Sequence, residues 1–220
     1  EAKKKPSVTA ESAIVMDVQS GAILYEKNID KREYPASITK VMTALVAIEN
    51  SSLSETVTYS RNAVTNLESG ASNIEIQPGE KLSMEDSLYA ILLMSANEAC
   101  NGVAEHVAGS IDNFVAMMNQ KAKELGCTGT HFANANGLWM SNHYTTAHDM
   151  ALISQEAYKN PTFAKLPERN AISLIKRKNM QNVIFIIIMV CFIQVHLPNI
   201  CTNTAWAAKQ DIHQSAVIRL

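Results

Sequence analysis

Two short polar motifs contain residue types that can carry out nucleophilic chemistry. In Ser37-Ile38-Thr39-Lys40, the serine and the lysine are three positions apart. Positions i and i+3 of a helix share a face, so the Lys40 amine can reach the Ser37 hydroxyl. A serine becomes a strong nucleophile when a neighbouring base takes its proton, and a lysine can be that base when its surroundings disfavour its charge. The spacing therefore predicts an activated serine.

The second motif, Ser95-Ala96-Asn97, lies where a strong helical pattern breaks, and Gly102 follows it closely. A serine and an asparagine between two buried helices suit the wall of a site. Each motif is weak alone, because S-x-x-K also occurs at Ser173 to Lys176 and S-x-N at Ser60 to Asn62. A helix-capping role for Ser37 and a plain polar loop at 95–97 are the alternatives.

The elements that must position these motifs are mostly helical. Apolar residues after Pro35 form a wide helical face, which predicts a buried helix with Ser37 at its N-terminus: Ile38, Val41, Met42, Leu45, Val46 and Ile48. Capping signatures at Ser83 and Thr146 predict two more helices, the second ending before Asn160. Helices are also predicted over 98–107 and 111–125, each followed by a glycine that ends it.

Extended structure is predicted at the N-terminal side of this helical cluster. Residues 13–18 and 22–25 flank Gln19-Ser20-Gly21 and read as a β-hairpin, and residues 56–59 read as a further short strand. The middle of the chain is thus a helical cluster that follows a hairpin.

Composition excludes several classes of function. The 220 residues are 47% hydrophobic, which is enough for a core, and the formal net charge of -2 gives no general attraction to nucleic acid. The four cysteines form no C-x-x-C pair and the histidines no H-E-x-x-H, so the spacing predicts no metal site and indicates that the cysteines are buried or free thiols.

The last part of the chain has a different character. Basic residues 176–178 precede an apolar run over 183–193, and Ala205-Trp206-Ala207 follows it. These are the three parts of a secretory signal peptide, and the run is shorter than the ~20 residues that span a bilayer. Because a signal peptide belongs at an N-terminus, we hypothesise that pieces of one precursor are joined out of order, and that Met180 lies near its start. A frameshifted or misassembled tail is the rival explanation.

Five ordered blocks give the chain a resemblance to a known family. They resemble the serine D-alanyl-D-alanine carboxypeptidases, the low-molecular-mass penicillin-binding proteins of bacteria, over about residues 10–165. The blocks are Tyr34 to Thr43, Gln77 to Glu80, Met94 to Ala99, Asn134 to Leu138 and His143 to Ala151.

The resemblance implies an α/β fold of the penicillin-recognising serine transpeptidase and β-lactamase-like class, with a helical cluster packed on an antiparallel sheet. It implies that Ser37 attacks the peptide bond between two D-alanines of a peptidoglycan stem peptide and that Lys40 takes its proton. Ser95 would pass a proton to the leaving D-alanine, and Asn97 would hold the substrate amide. β-Lactams would be covalent inhibitors, and the working place would be the bacterial cell envelope, after export.

One departure from the family pattern is the absence of its third motif. The 220 residues contain no Lys-Thr-Gly, and the nearest string is Cys127-Thr128-Gly129. In the family this motif lies on a strand that also supplies an oxyanion-hole donor, and loss of one such donor costs about 10²–10³ in rate. We therefore expect the C-terminal strands to be missing and the activity to be impaired. Peripheral membrane contact would need a C-terminal region that is also missing.

Two other functions remain open at this point. An inactive, merely β-lactam-binding fragment of an envelope protein would explain the missing Lys-Thr-Gly. A serine β-lactamase shares both motifs, but no E-x-x-L-N segment follows Asn97 in the expected region. The predicted organisation is a partial catalytic domain over 1–165, a junction over 166–175, a signal-like segment over 176–207 and a displaced mature lead over 208–220.

Overall fold

The structure, a computed structural model, describes residues 8–65 and 67–166. The predicted signal-like segment, the displaced lead and the second S-x-x-K match all lie outside these ranges. The strands are β1 Ala13–Met16, β2 Ile23–Lys27, β3 Thr56–Thr58 and β4 Lys81–Ser83. The helices are α1 Thr39–Asn50, α2 Arg61–Thr65, α3 Met84–Met94, α4 Asn97–Ala108, α5 Ile111–Glu124 and α6 Ala147–Lys159, and a 3-10 turn, Ala36–Ile38, leads into α1.

Helix α1 lies in the middle of the helical cluster and contacts α3, α4, α5 and α6. Its predicted apolar face is buried, with Met42 and Leu45 fully shielded from solvent. The surrounding helices contribute the rest of one continuous core, including Leu88, Ile91, Phe114 and Met118. Burial of this apolar surface, rather than intrinsic propensity, stabilises helices of this length.

The capping signatures are confirmed. The Ser83 hydroxyl accepts from the Asp86 N–H at 3.0 Å, and Thr146 accepts from Asp149 at 3.0 Å. Helix α5 has a third cap that the sequence reading did not identify, in which Ser110 accepts from Asn113 at 3.1 Å. Helices α4 and α5 end at Gly109 and near Gly126, both with positive φ, as the glycine signals predicted.

The strands form two separate antiparallel pairs. Strands β1 and β2 make the predicted hairpin, with a register shift between Val15 and Met16. Strand β3 pairs with β4, for which the sequence analysis predicts no strand. Within the part of the chain that the structure describes, no third strand joins the hairpin. Its inner face packs instead on α6, where Ile14 contacts Ala147 and Ala151.

Gly102, which follows the Ser95-Ala96-Asn97 motif, allows a close approach between α4 and Tyr59 rather than a contact with the motif. A Cβ added there would lie 2.3 Å from the Tyr59 ring, so the glycine lets the strand end at Tyr59 pack against α4. Cys100 and Cys127 are buried free thiols, as predicted, and burial raises their pKa values to about 11 and about 12. None of the helices in the described ranges combines the length and the apolar character that crossing a membrane requires.

Candidate active site

The four residues predicted for the site come together at one corner of the helical cluster. Ser37 lies in the 3-10 turn and Lys40 in the first turn of α1, while Ser95 and Asn97 flank the break between α3 and α4. Nearly sixty residues of chain separate the two motifs, so this meeting depends on the packing of α1 against α3 and α4.

Ser37 has two polar neighbours at hydrogen-bond distance. Lys40 Nζ donates to Ser37 Oγ at 3.3 Å, and Ser95 Oγ donates to it at 3.1 Å. Ser37 makes no capping bond, because α1 begins after Ile38 without a side-chain cap, so the capping alternative is wrong. Ser37 and Lys40 are three positions apart across the junction of the 3-10 turn and α1, and at this spacing side chains on a helical backbone lie on the same face.

Lys40 is buried, with 3% of its surface exposed. Its Nζ also donates to Asn97 Oδ1 at 2.7 Å and to the Asn136 carbonyl at 2.6 Å. A buried lysine amine is stable only where hydrogen-bond partners compensate for its lost hydration. These acceptors hold the amine beside Ser37, and the prediction that Lys40 reaches Ser37 is confirmed.

The backbone at the site is strained at two positions. Ser95, the residue that follows the last turn of α3, has φ 56°, and Ala36, next to Ser37, has φ 47°. Left-handed conformations are costly for residues other than glycine, and they persist where the surrounding structure fixes them. At Ser95 this conformation ends α3 and turns the chain into α4. The 95–97 segment is therefore part of the site rather than a plain polar loop.

The loop over 134–138 is a third wall of the site, and the sequence reading gave it no role beyond the family resemblance. Gly137 has φ 86°, and a Cβ there would lie 2.0 Å from the Ala36 carbonyl oxygen. The loop thus packs directly on the turn that holds Ser37. Asn134 Oδ1 accepts from the Gly137 N–H at 2.7 Å, and Asn136 Oδ1 accepts from the Leu138 N–H at 2.9 Å. An Asn-x-Asn-Gly string predicts such a turn, but it does not indicate that the turn packs against the segment that contains Ser37.

Two other sequence matches have structural roles away from this corner. Ser60 of the second S-x-N match accepts from the Ala63 N–H at 3.0 Å and so caps α2. In Cys127-Thr128-Gly129, the Gly129 N–H donates to Asp149 Oδ2 at 2.8 Å, which ties the string to the first turn of α6. Among the described residues, no group of three or more His, Cys, Asp or Glu side chains is arranged to hold a metal ion.

Comparison with known proteins gives a consistent result. The Peptidase S11 family model, described as D-alanyl-D-alanine carboxypeptidase, matches residues 1–185. The D-alanyl-D-alanine carboxypeptidase DacF of Bacillus subtilis is 38% identical over 161 residues, which is 71% of this chain and 41% of that protein. DacC of Escherichia coli is 34% identical over 195 residues, 80% of this chain and 49% of the relative.

Solved structures give the same grouping. The D-alanyl-D-alanine carboxypeptidase DacD of Francisella tularensis superposes with a TM-score of 0.70 at 37% identity, covering 74% of this chain and 40% of that one. Penicillin binding protein 5 of Haemophilus influenzae also gives a TM-score of 0.70, at 32% identity and 49% coverage of its own chain. The predicted fold class is thereby confirmed.

The chain spans 41% to 49% of the length of the first curated relatives that it matches. Within this chain, the S-x-x-K motif at Ser37 and the S-x-N motif at Ser95 place their polar side chains at one corner of the helical cluster. The chain belongs to the Peptidase S11 family, the D-alanyl-D-alanine carboxypeptidases.

Proposed function

We propose that this protein is a serine DD-carboxypeptidase that removes the terminal D-alanine from peptidoglycan stem peptides. The observation that carries the proposal is the position of Ser37 Oγ, 3.3 Å from Lys40 Nζ and 3.1 Å from Ser95 Oγ. A nucleophile with a base and a second hydroxyl within reach is the arrangement that acyl transfer requires.

In the proposed acylation step, Ser37 Oγ attacks the carbonyl carbon between the two D-alanines. In the neutral form, Lys40 Nζ donates its two hydrogens to Asn97 and Asn136, so its lone pair can accept the Ser37 proton along their 3.3 Å contact. When the tetrahedral intermediate collapses, the C–N bond breaks, and the proton that Lys40 received passes through the Ser95 hydroxyl to the leaving D-alanine nitrogen. The product is an ester on Ser37, and a water molecule then hydrolyses it to free the enzyme.

Asn97 has two tasks in this proposal. Its Oδ1 accepts from Lys40 at 2.7 Å, which fixes the orientation of the side-chain amide. The amide NH₂ of Asn97 then holds the carbonyl oxygen of a substrate amide. The chemistry assigned to Ser37, Lys40, Ser95 and Asn97 needs neither a metal nor an organic cofactor.

The partners and the location follow from this substrate. Stem peptides lie in the bacterial cell envelope, so we propose that the protein is exported and works there, with β-lactams as covalent inhibitors at Ser37. The proposed organisation is a partial catalytic domain over 1–165, a junction over 166–175, an export signal over 176–207 and a mature lead over 208–220. We propose no nucleic acid partner, and membrane contact only through a C-terminal region beyond this domain.

Two measurements test the proposal together. Fluorescent penicillin should label the parent chain covalently, and D-alanine should be released from a pentapeptide that ends in D-Ala-D-Ala. Ser37→Ala should abolish both, because it removes the nucleophile. Ser60→Ala is the matched control: it loses the α2 cap, at about 1 kcal/mol, and should label normally.

The contrary outcomes separate the alternatives. Labelling of Ser37→Ala at the parent rate would show that Ser37 is not the nucleophile. Stoichiometric labelling of the parent without D-alanine release would indicate a β-lactam-binding protein that lacks carboxypeptidase activity. Steady hydrolysis of a chromogenic cephalosporin would indicate a β-lactamase.

A further inference from the structure

His143 is a buried histidine that the mechanism above does not use. Only 2% of its surface is exposed, and its ring packs edge-on against Phe132. Both ring nitrogens have partners: Nδ1 accepts from the Ala133 N–H at 2.9 Å, and Nε2 lies 2.8 Å from Thr39 Oγ1. Thr39 directly precedes Lys40 in α1.

These contacts determine the tautomer of His143. A backbone N–H can only donate, so Nδ1 must be the unprotonated, accepting nitrogen. In the neutral ring, the proton then lies on Nε2, which donates it to Thr39 Oγ1. Burial, helped by the nearby His131, lowers the pKa of His143 to about 4, so the ring is neutral near pH 7.

The same loop is tied to α1 a second time, one helical turn further on. Thr43 Oγ1 donates to the Ala135 carbonyl at 2.6 Å. The Asn136 carbonyl, which accepts from Lys40 at 2.6 Å, lies next to this anchor. Residues Thr39, Lys40 and Thr43 therefore hold the loop over 133–143 in one register along α1.

We propose that His143 is a positioning residue: by donating from Nε2 to Thr39, it holds the loop so that the Asn136 carbonyl meets Lys40 and Gly137 meets the turn of Ser37. This inference rests on the proposed function. It adds a buried histidine and a threonine to the residues on which acylation depends, although neither contacts the Ser37 hydroxyl. A loop displaced along α1 would move the Lys40 amine, and a shift of about 1 Å in a catalytic group can cost 10²-fold in rate.

The test compares Thr39→Val with Thr39→Ser. Valine has nearly the shape of threonine but no hydroxyl, so the acceptor for His143 is lost, whereas serine keeps it. Tyr59→Phe is the control, because it removes another buried hydroxyl bond, the one to Ser87, away from the site. For each chain the rate constant of acylation by penicillin and the dissociation constant of the preceding complex are measured separately.

The expected result is a fall of between about 10-fold and 10²-fold in the acylation rate constant of Thr39→Val. The dissociation constant should change little, because Thr39 and His143 are buried, with 0% and 2% of their surfaces exposed, and so are not accessible to a bound penicillin. Thr39→Ser and Tyr59→Phe should acylate at nearly the parent rate. A folded Thr39→Val that acylates like the parent, or a Tyr59→Phe that loses as much rate, would overturn the inference.

A second pair of variants applies if Thr39→Val does not fold. His143→Gln can still donate from its amide to Thr39, while His143→Leu fills the space without a donor. The inference requires His143→Gln to acylate much faster than His143→Leu, and equal rates would overturn it. Failure of the proposed function is distinguishable, because then Ser37→Ala would be labelled or the parent would not be.

Discussion

The site corner and the N-terminal hairpin are held to the helical cluster in opposite ways. At the site, buried polar groups meet from three segments, and Lys40 alone joins Ser37, Asn97 and Asn136. The hairpin has a small apolar contact, that of Ile14 with α6, and its second strand exposes Ile23 and Leu24 by 41% and 65%.

This difference affects how each region tolerates change. Hydrogen bonds between buried groups have narrow geometry, and an unsatisfied partner is costly, so small changes at the site should disrupt both position and chemistry. The hairpin depends on its small apolar contact with α6 and on a hydrogen bond from Gln155 Nε2 to the Val18 carbonyl at 2.9 Å, and an apolar contact can shrink and still hold the hairpin in place. The site should therefore respond in activity, and the hairpin only in stability.

Lys40→Met gives the largest expected effect. Methionine keeps most of the volume of the side chain but removes the amine that neighbours Ser37, so the rate of penicillin acylation should fall by about 10²–10⁴-fold. The measurement is the time course of labelling by fluorescent penicillin, with circular dichroism to confirm the fold. A folded variant with the parent rate would give Lys40 a purely structural role.

Gly137→Ala should break the approach of the loop to the Ser37 turn. The new Cβ would meet the Ala36 carbonyl, and the residue has φ 86°, so we expect a loss of about 2–5 kcal/mol in unfolding free energy. The acylation rate should fall as well. Gly109→Ala is the matched control: its φ is 75° but no atom lies near the added Cβ, so it should lose only about 1–2 kcal/mol. Equal losses in the two variants would contradict the packing argument.

Ile14→Ala tests the other side of the comparison. It removes most of the apolar contact between the hairpin and α6, and we expect a loss of about 2 kcal/mol in unfolding free energy with an unchanged acylation rate. Leu24→Ala, on the exposed strand, should change stability by less than about 0.5 kcal/mol. Urea denaturation and penicillin labelling measure the two quantities. A large fall in acylation for Ile14→Ala would show that the hairpin also positions the site.

The pH dependence of the unfolding free energy gives a smaller expected effect, which comes from the buried His143 near the site. His143 binds a proton near pH 6.5 in the unfolded chain but only near pH 4 when folded, so unfolding takes up a proton between these values. Stability should fall as the pH drops from about 6.5 to about 4, by at most about 1.4 kcal/mol per pH unit for this group, and then level off. His143→Gln should remove this contribution.

Salt distinguishes the buried His143 from the exposed ion pair between Lys31 and Glu11, which flank the hairpin. The contact of Lys31 with Glu11 is largely exposed and lowers the pKa of Glu11, so 1 M salt should weaken its contribution to the pH dependence. The difference between the parent and His143→Gln should persist in salt. Denaturant midpoints at pH 4 to 7 measure this difference in stability. If the plots of midpoint against pH run parallel for the parent and His143→Gln, a buried neutral His143 is contradicted.

Local signals in the sequence were sufficient for most of the helices. The period of the apolar residues located α1, and the caps at Ser83 and Thr146 located the starts of α3 and α6. The residues involved in these signals are within a few positions of each other. Strand β4 was missed because three residues, Lys81–Ser83, carry too little pattern without their partner β3.

The sequence by itself determined most of the helices, the family and the two motifs that contain Ser37, Lys40, Ser95 and Asn97, because each of these depends on residue types at short spacing. Only the tertiary structure showed that the Asn136 carbonyl faces Lys40 and that His143 meets Thr39 across more than a hundred residues of chain. A backbone carbonyl is the same in every residue, and a buried histidine has no local pattern. Their roles arise only when the loop over 133–143 packs on α1 and the buried polar groups take their hydrogen-bond partners from the protein.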